Sequence, residues 1–266
     1  MSKMIVMDMD GTLLRSDDTC SKEVEEYLNK LKEEGNIIVL ATGRCFEEVM
    51  SSVDNAFFAN YIISHTGSVI YDISKEKFIF ESKIPVDSVN EIASLYDEKT
   101  IERISFVTLN KYNRFTLDYY QDSKFVHMIS DVKELKDICN DVFNICIRLK
   151  QDNYVNTLID EMKMEFKDLD FIVMQDSFGS DRRIEIVPKG VSKAASIDKL
   201  VKLESMDKKD VICFGDGLND IDMLEYSSVS VAMGNALEDV KNVCKYVTDT
   251  NDNDGIIVFL KKYLGD

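Results

Sequence analysis

Proline and histidine are scarce in this 266-residue chain, two of each, and glycine supplies only 11 positions. So little proline and glycine, beside a hydrophobic share of 45%, argues against collagen-like, disordered and disulfide-stapled classes. With only His65 and His127, histidine-built metal chemistry is not expected. Cys20, Cys45, Cys139, Cys146, Cys213 and Cys244 form no C-x-x-C pair, and Cys213 sits inside an apolar run. Reduced, structural cysteines in a cytoplasmic protein follow, rather than a disulfide framework or a zinc site. Apolar runs are short: Asp8 breaks the N-terminal stretch Met4 to Met7, and no later run approaches the ~18 residues of a membrane span. The expectation is a soluble, unprocessed protein.

Positive charge is also in deficit. Against 49 Asp and Glu stand 32 Lys and Arg, a net charge of −17, and no basic stretch is long enough to track phosphates. Neither nucleic acid nor an anionic membrane is an expected partner. An anionic small-molecule substrate would need a metal ion or a locally placed Lys or Arg.

What the chain does have is an alternation of short β-branched-rich runs with helical patterns. Met4 to Met7, Ile37 to Ala41, Tyr61 to Ile63, Val211 to Phe214 and Val229 to Met233 read as strands buried on both faces. Ser21 caps a predicted helix bearing Val24, Leu28 and Leu31 and closed by Gly35; a second helix begins near Ser192; Asn235 with Glu238 has the spacing of a capping box. Strands alternating with helices predict a parallel sheet covered on both faces, whose ligands bind beyond the strands' carboxyl ends. From Val86 to about Val187 the pattern is mixed: strands at Ile104 to Leu109, Arg114 to Leu117, Ile145 to Leu149, Phe171 to Gln175 and Ile184 to Val187, helices at Ser88 to Tyr96 and Tyr154 to Phe166. Pro85 and Pro188 bracket it. The fold class expected is α/β, a Rossmann-like parallel-sheet core formed by residues 1–84 and 188–266 with an inserted α+β domain at 85–187.

The strand ends carry the chemistry. By composition a D-x-D-G-T run is expected about 0.005 times in this chain, and it occurs at Asp8-Met9-Asp10-Gly11-Thr12, directly after a strand. A turn at Gly11 aims both carboxylates at one phosphoryl group, so that Asp8 attacks phosphorus while Asp10 protonates the leaving oxygen and later activates water. A solvated acidic turn is the plainer reading; a calcium loop fails on spacing beyond Gly11. Carboxylate attack on a dianion demands cations. Asp8, the Asp10 main-chain carbonyl and Asp216 offer three oxygen ligands to Mg²⁺, with Asp220 behind them to orient its waters or simply to serve a helix start. Lys193 is the candidate phosphate-side cation, against the alternative of a surface lysine. Thr42 and the Gly43 N–H suit a phosphate oxygen, or form a plain strand-ending turn; Asn219 either donates to the phosphoryl group or caps a helix.

Taken in order, Asp8-Met9-Asp10-Gly11-Thr12, Thr42, Lys193 and Gly215-Asp216-x-x-Asn219-Asp220 resemble the four motifs of the haloacid dehalogenase superfamily. Ala41-Thr42-Gly43-Arg44, Pro188-Lys189-Gly190-Val191-Ser192-Lys193, Ala232-Met233-Gly234-Asn235-Ala236 and Asn251-Asp252-Asn253-Asp254-Gly255 look like its Cof-type branch, subclass IIB. The resemblance implies a Rossmann-like core, an inserted α/β cap, Mg²⁺, and dephosphorylation of small phosphorylated metabolites, often sugar phosphates. Where Cof-type proteins read Asn-Asn-Gly or Asn-Gly after the third strand, this chain has His65-Thr66-Gly67, leaving His65 as a leaving-group contact or a hydrogen-bonded structural residue. Arg44 is open between a substrate-facing cation and a helix-start residue. A phosphomutase on the same core and a metabolite-binding regulator without turnover are the alternatives to a phosphatase. A P-type ATPase, with Thr where Asp10 stands, and a dehalogenase, which needs no acid there, fit less well.

Overall fold

A computed structural model describes residues 2–53, 56–95, 97, 99–116, 124–129, 132–150, 155–174 and 183–265. Its strands are β1 (Met4–Met7), β2 (Ile37–Ala41), β3 (Tyr61–Ser64), β4 (Val69–Asp72), β5 (Lys77–Glu81), β6 (Ile101–Val107), β7 (Tyr112–Thr116), β8 (Val126–Met128), β9 (Asn144–Leu149), β10 (Leu169–Met174), β11 (Arg183–Pro188), β12 (Val211–Gly215), β13 (Val229–Ala232) and β14 (Tyr246–Val247). The helices are α1 (Lys22–Glu33), α2 (Phe46–Ser52), α3 (Val86–Ser94), α4 (Val155–Glu165), α5 (Lys193–Leu203), α6 (Ile221–Tyr226), α7 (Glu238–Val243) and α8 (Gly255–Leu264).

Among the described residues the first sheet runs β14-β13-β12-β1-β2-β3-β4-β5. From β14 to β3 all neighbours are parallel. Their apolar runs are continuous because helices cover both faces: Met4 to Met7, Ile38 to Ala41 and Val211 to Phe214 are all buried. On α1 the Ser21 hydroxyl accepts from the Val24 N–H at 3.2 Å, and Val24, Tyr27, Leu28 and Leu31 present one buried stripe to that core. Beyond β3 the sheet turns antiparallel, an addition to the parallel sheet read from sequence. The Lys77–Glu81 strand is only half-buried and flanked by charge, an edge strand whose pattern is too weak to stand out in sequence.

The second sheet runs β10-β11-β9-β6-β7-β8 and is antiparallel except between β7 and β8. Alternation sorts its faces. Ile104, Phe106, Ile145, Ile147, Ile184 and Ile186 share a separate core with Val89 and Ile92 of α3 and Val155 and Ile159 of α4. The intervening residues Arg103, Ser105, Cys146, Arg183 and Glu185 look the other way, onto a cavity shared with the carboxyl ends of the first sheet. Pro85 precedes α3 and Pro188 closes β11. Of the ends expected for these elements, Tyr96, Leu117, Tyr154 and Gln175 lie outside the described residues.

One capping expectation fails. Helix α7 starts at Glu238 after Leu237, and no capping box forms at Asn235. The Asn235 amide instead donates to the Gly11 carbonyl at 2.8 Å and accepts from the Asn251 N–H at 3.0 Å. Asn251 donates to the Leu14 carbonyl at 2.8 Å, and Arg15 pairs with Asp254 at 2.9 Å. Two C-terminal loops thus clamp the Asp8–Leu14 turn from outside, a use of long-range hydrogen bonds that local spacing does not reveal.

Candidate active site

Asp8 directly follows β1, and its N–H continues the ladder to the Phe214 carbonyl at 3.1 Å. The chain then turns tightly, Leu13 N–H to Asp8 O at 3.2 Å and Leu14 N–H to Met9 O at 2.8 Å, with Gly11 in the left-handed region at φ +73°. Because β12 is the parallel neighbour of β1, Gly215 and Asp216 emerge beside Asp8. The Thr12 hydroxyl, buried, donates to Asp216 Oδ1 at 2.9 Å. Sequence reading quoted Thr12 within the motif without giving it this task.

Lys193 reaches the same point from the first turn of α5, which is capped by Ser192 and pinned to the loop after β3 by the Ser196 hydroxyl donating to Gly67 O at 2.7 Å. Its ammonium is fully buried, 2.6 Å from Asp8 Oδ1 and 2.7 Å from Asp220 Oδ1. The other oxygen of Asp220 accepts the N–H groups of Asp216 and Gly217, each at 3.0 Å. Asp220 is therefore engaged at both oxygens by three donors and holds both Lys193 and the Asp216 turn. Gly215 permits this approach: a Cβ there would stand 2.6 Å from the Cβ of Asp220. Neither the surface-lysine reading of Lys193 nor a plain helix-start reading of Asp220 describes this cluster.

Burial pushes the Asp8 carboxyl well above the usual carboxylate range, and the nearby charges of Asp220 and Asp216 push the same way, against the opposing pull of Lys193. Burial alone would lower the Lys193 ammonium, but Asp220 and Asp8 outweigh it and hold the group protonated above its ordinary value. Carboxylate oxygens of Asp8, Asp216 and Asp220 all lie within 4.8 Å of one another and are buried. Three acids against one ammonium leave excess negative charge at a set of hard oxygen donors, an arrangement that fits a divalent cation such as Mg²⁺. Since both Asp220 oxygens are engaged, Asp8 and Asp216 are the better-suited ligands.

Asp10 faces the cavity with its carboxylate gripped by Arg44, Nε 2.9 Å from Oδ2 and Nη2 bonded to Oδ1. Thr42 is buried at the end of β2; its N–H is spent on Ile63 O at 2.8 Å and its hydroxyl oxygen accepts the Arg44 N–H at 3.1 Å. Thr42, Gly43, Arg44 and Asn219 all stand on the cavity wall. His65 does not. Its ring is wholly buried, with Nε2 3.0 Å from Thr108 O and Nδ1 2.9 Å from Ser64 Oγ. A carbonyl only accepts, so Nε2 carries the proton and the Ser64 hydroxyl donates to Nδ1; burial pushes the ring pKa down to about 4. His65 is thus the structural histidine of the two readings. Thr66 turns to the second sheet, its hydroxyl 3.3 Å from Glu185 Oε2.

The cavity, about 440 Å³, is roofed by residues that sequence reading did not single out, among them Arg103, Tyr112, Arg183 and Glu185. The Tyr112 hydroxyl donates to Glu48 at 2.9 Å and accepts the Cys45 N–H at 3.2 Å, tying β7 to the start of α2. The roof was hidden in sequence because its polar residues alternate with a strongly apolar stripe and resemble the outer face of any antiparallel strand.

Comparison with known proteins gives a consistent result. The family model described as haloacid dehalogenase-like hydrolase matches residues 5–260. Two 5-amino-6-(5-phospho-D-ribitylamino)uracil phosphatases of Bacillus subtilis (strain 168) are similar over nearly the whole length. One is 27% identical, covering 98% of this chain and 96% of that protein. The other is 24% identical, covering 98% and 97%. A crystal structure of a haloacid dehalogenase-like hydrolase from Bacteroides thetaiotaomicron superposes with a TM-score of 0.80 at 26% identity, over 99% of this chain and 100% of that one.

Proposed function

Because the chain belongs to the haloacid dehalogenase-like hydrolases and is a phosphatase, we propose that it dephosphorylates small phosphorylated metabolites, sugar phosphates among them, through an aspartyl-phosphate on Asp8 with Mg²⁺ as its metal. The observation that carries this reading is the buried Asp8 carboxylate, fixed by Lys193 at 2.6 Å through Oδ1 while its face lies open to the cavity beside Asp10. No hydrogen bond among the described residues engages Asp8 Oδ2, which leaves that oxygen available for attack in this mechanism.

Asp8 attacks phosphorus, the bond to the leaving oxygen breaks, and Asp10 gives that oxygen its proton. A water then attacks the phosphorus of the aspartyl-phosphate, Asp10 takes the water's proton, and the bond to Asp8 breaks to release phosphate. Lys193 compensates charge at Asp8 through both steps; the Thr42 hydroxyl, the Gly43 N–H and Asn219 orient phosphoryl oxygens. Mg²⁺ held by Asp8, the Asp10 carbonyl and Asp216 would supply neutralisation of the phosphoryl charge. Residues 85–187 act as a cap that contributes selectivity, while 1–84 and 188–266 carry the chemistry. The phosphorylated ribityl chain in the relatives' named substrate falls within the proposed class.

Hydrolysis of nitrophenyl phosphate and of a metabolite panel, with Mg²⁺ and after exhaustive chelation, tests the proposal. Turnover should need the metal, and full activity in chelator would remove it. Asp10→Asn keeps the backbone carbonyl and should cost about 10²- to 10⁴-fold in kcat on sugar phosphates. With nitrophenyl phosphate, whose leaving group needs no proton, a phosphoenzyme burst should appear. An Asp10→Asn protein turning over sugar phosphates at the normal rate would end this mechanism.

A further inference from the structure

Register places three arginines side by side on the cavity face of the second sheet. Arg148 of β9 is the cross-strand partner of Arg103 on β6 and of Arg183 on β11. Neighbouring strands are about 4.8 Å apart, and like charges directly opposite one another are destabilising. Arg148 is answered by Glu102, whose carboxylate lies 3.2 Å from its Nε, and it stays off the cavity wall. Arg103 and Arg183 are on that wall. Arg103 is only 9% exposed, and its Nε is buried with no hydrogen-bond partner among the described residues. A guanidinium so held carries the cost of desolvation without the return of a charge-assisted bond.

The acid on the same face does not resolve this. Glu185 lies one row along, opposite Cys146; its Oε2 already accepts from Asn144 and from Thr66, and the cation that bears on it is Arg183. Nor is the phosphoryl group the natural partner, since the cation proposed for it is Lys193, buried against Asp8 at the strand ends of the first sheet. The β6–β7 turn at Thr108 and Leu109 touches the first sheet through His65 and Glu47. Arg103 lies two residues beyond Ser105 from that turn, about 7 Å farther along the strand. In a chain of net charge −17, a buried arginine nitrogen without a partner among the described residues is conspicuous on this wall.

We propose that Arg103, with Arg183 beside it on the same wall, forms a second anion subsite across the cavity from Asp8, so that the preferred substrates are phosphomonoesters whose leaving group carries a carboxylate or a second phosphate at its remote end. The planar fork of Arg103 suits either group, because both present paired oxygens. The substrate then spans the cavity, with phosphoryl at the strand ends and the second anion against the roof. The assignment rests on the phosphatase reading for turnover, but the anion subsite itself is a matter of binding.

Nitrophenyl phosphate hydrolysis by the full chain with Mg²⁺ first establishes turnover. Two matched pairs then separate the sources of the anion: 6-phosphogluconate against glucose 6-phosphate, and fructose 1,6-bisphosphate against fructose 6-phosphate. At least one member with the second anionic group should exceed its partner without it in kcat/KM by about tenfold or more. Arg103→Met should cut kcat/KM for that member by roughly 10- to 100-fold, chiefly through KM, and close the gap; Arg103→Lys should fall between. Calorimetric titration of 6-phosphogluconate and glucose 6-phosphate onto chelated protein reads the same preference without turnover. If nitrophenyl phosphate is not hydrolysed but the binding preference exists and vanishes in Arg103→Met, the phosphatase reading fails and the subsite stands. Equal values within both pairs, or a preference that survives Arg103→Met with the fold intact by circular dichroism, would overturn the subsite.

Discussion

The guanidinium of Arg44 forks onto the carboxylate of Asp10, and its Nη1 is anchored in turn on the Ser52 hydroxyl at 2.8 Å. Arg44 is therefore both near the start of α2 and on the cavity wall, and its charge is already directed at the proposed acid. Burial would lower its pKa, but the bond and charge of Asp10 override this and raise it.

Arg44→Lys is consequently not a conservative change, because an ammonium keeps the charge and loses the fork. With Asp10 no longer aimed, kcat on sugar phosphates should fall on the order of 10²-fold. The Asp10 side chain is 41% exposed, so the pair contributes little to stability, about 0 to 1 kcal/mol. Steady-state kinetics beside thermal melts check both halves; wild-type kcat in Arg44→Lys would show that the fork does not position Asp10.

Lys193→Met leaves Asp8 and Asp220 facing each other inside the protein without their shared cation. Breaking a buried pair from one side costs about 3–5 kcal/mol, so the urea midpoint should drop strongly while activity is lost. Unchanged stability would mean that solvent, rather than the ammonium, compensates the two acids.

Gly215→Ala inserts a methyl 2.6 Å from the Asp220 Cβ and 2.8 Å from its Cγ. Asp220 must move, and with it the three donors it gathers. Overpacking of this kind costs about 1–3 kcal/mol, and turnover should fall further than stability alone explains. Activity and unfolding midpoints equal to wild type would contradict the close approach.

His65 is held neutral in the fold, near pKa 4, whereas the free side chain titrates near 6.5. Its depressed folded value means the unfolded chain binds the extra proton first, so the stability contribution is full above pH about 6.5 and is lost as the pH falls towards 4. The loss is on the order of 3 kcal/mol at the acid end. His65 and Thr66 are both left-handed, at φ +52° and +57°, a region that Asn tolerates better. His65→Asn should flatten the difference in unfolding free energy between pH 7 and 4.5; an equally steep fall in the variant would place the acid sensitivity elsewhere.

Most of the proposed reacting set is legible in the sequence because its signals are local. Asp8, Asp10, Thr42 and Asp216 each follow a strand whose apolar run is unmistakable, and a parallel sheet brings those ends together whatever the loops do. Asp220 and Lys193 were legible as candidates, but not that one oxygen of Asp220 holds the lysine while the other holds the Asp216 turn. The Asn235 motif was misread as a helix cap, since its real partners, Gly11 and Asn251, are remote in sequence or on another loop.

Composition and period thus settle which segments become strands, which strand ends carry acids, and that an anionic substrate would need a local cation. They leave undecided which face of each roof strand meets the cavity. In an antiparallel sheet a one-residue slip reverses every side chain, and the pairing of β6, β9 and β11, separated by tens of residues, is chosen by the burial of Ile104, Ile145, Ile147 and Ile184 under α3 and α4. That packing, invisible in any local window, turns Arg103 and Arg183 onto the cavity that Asp8 also lines.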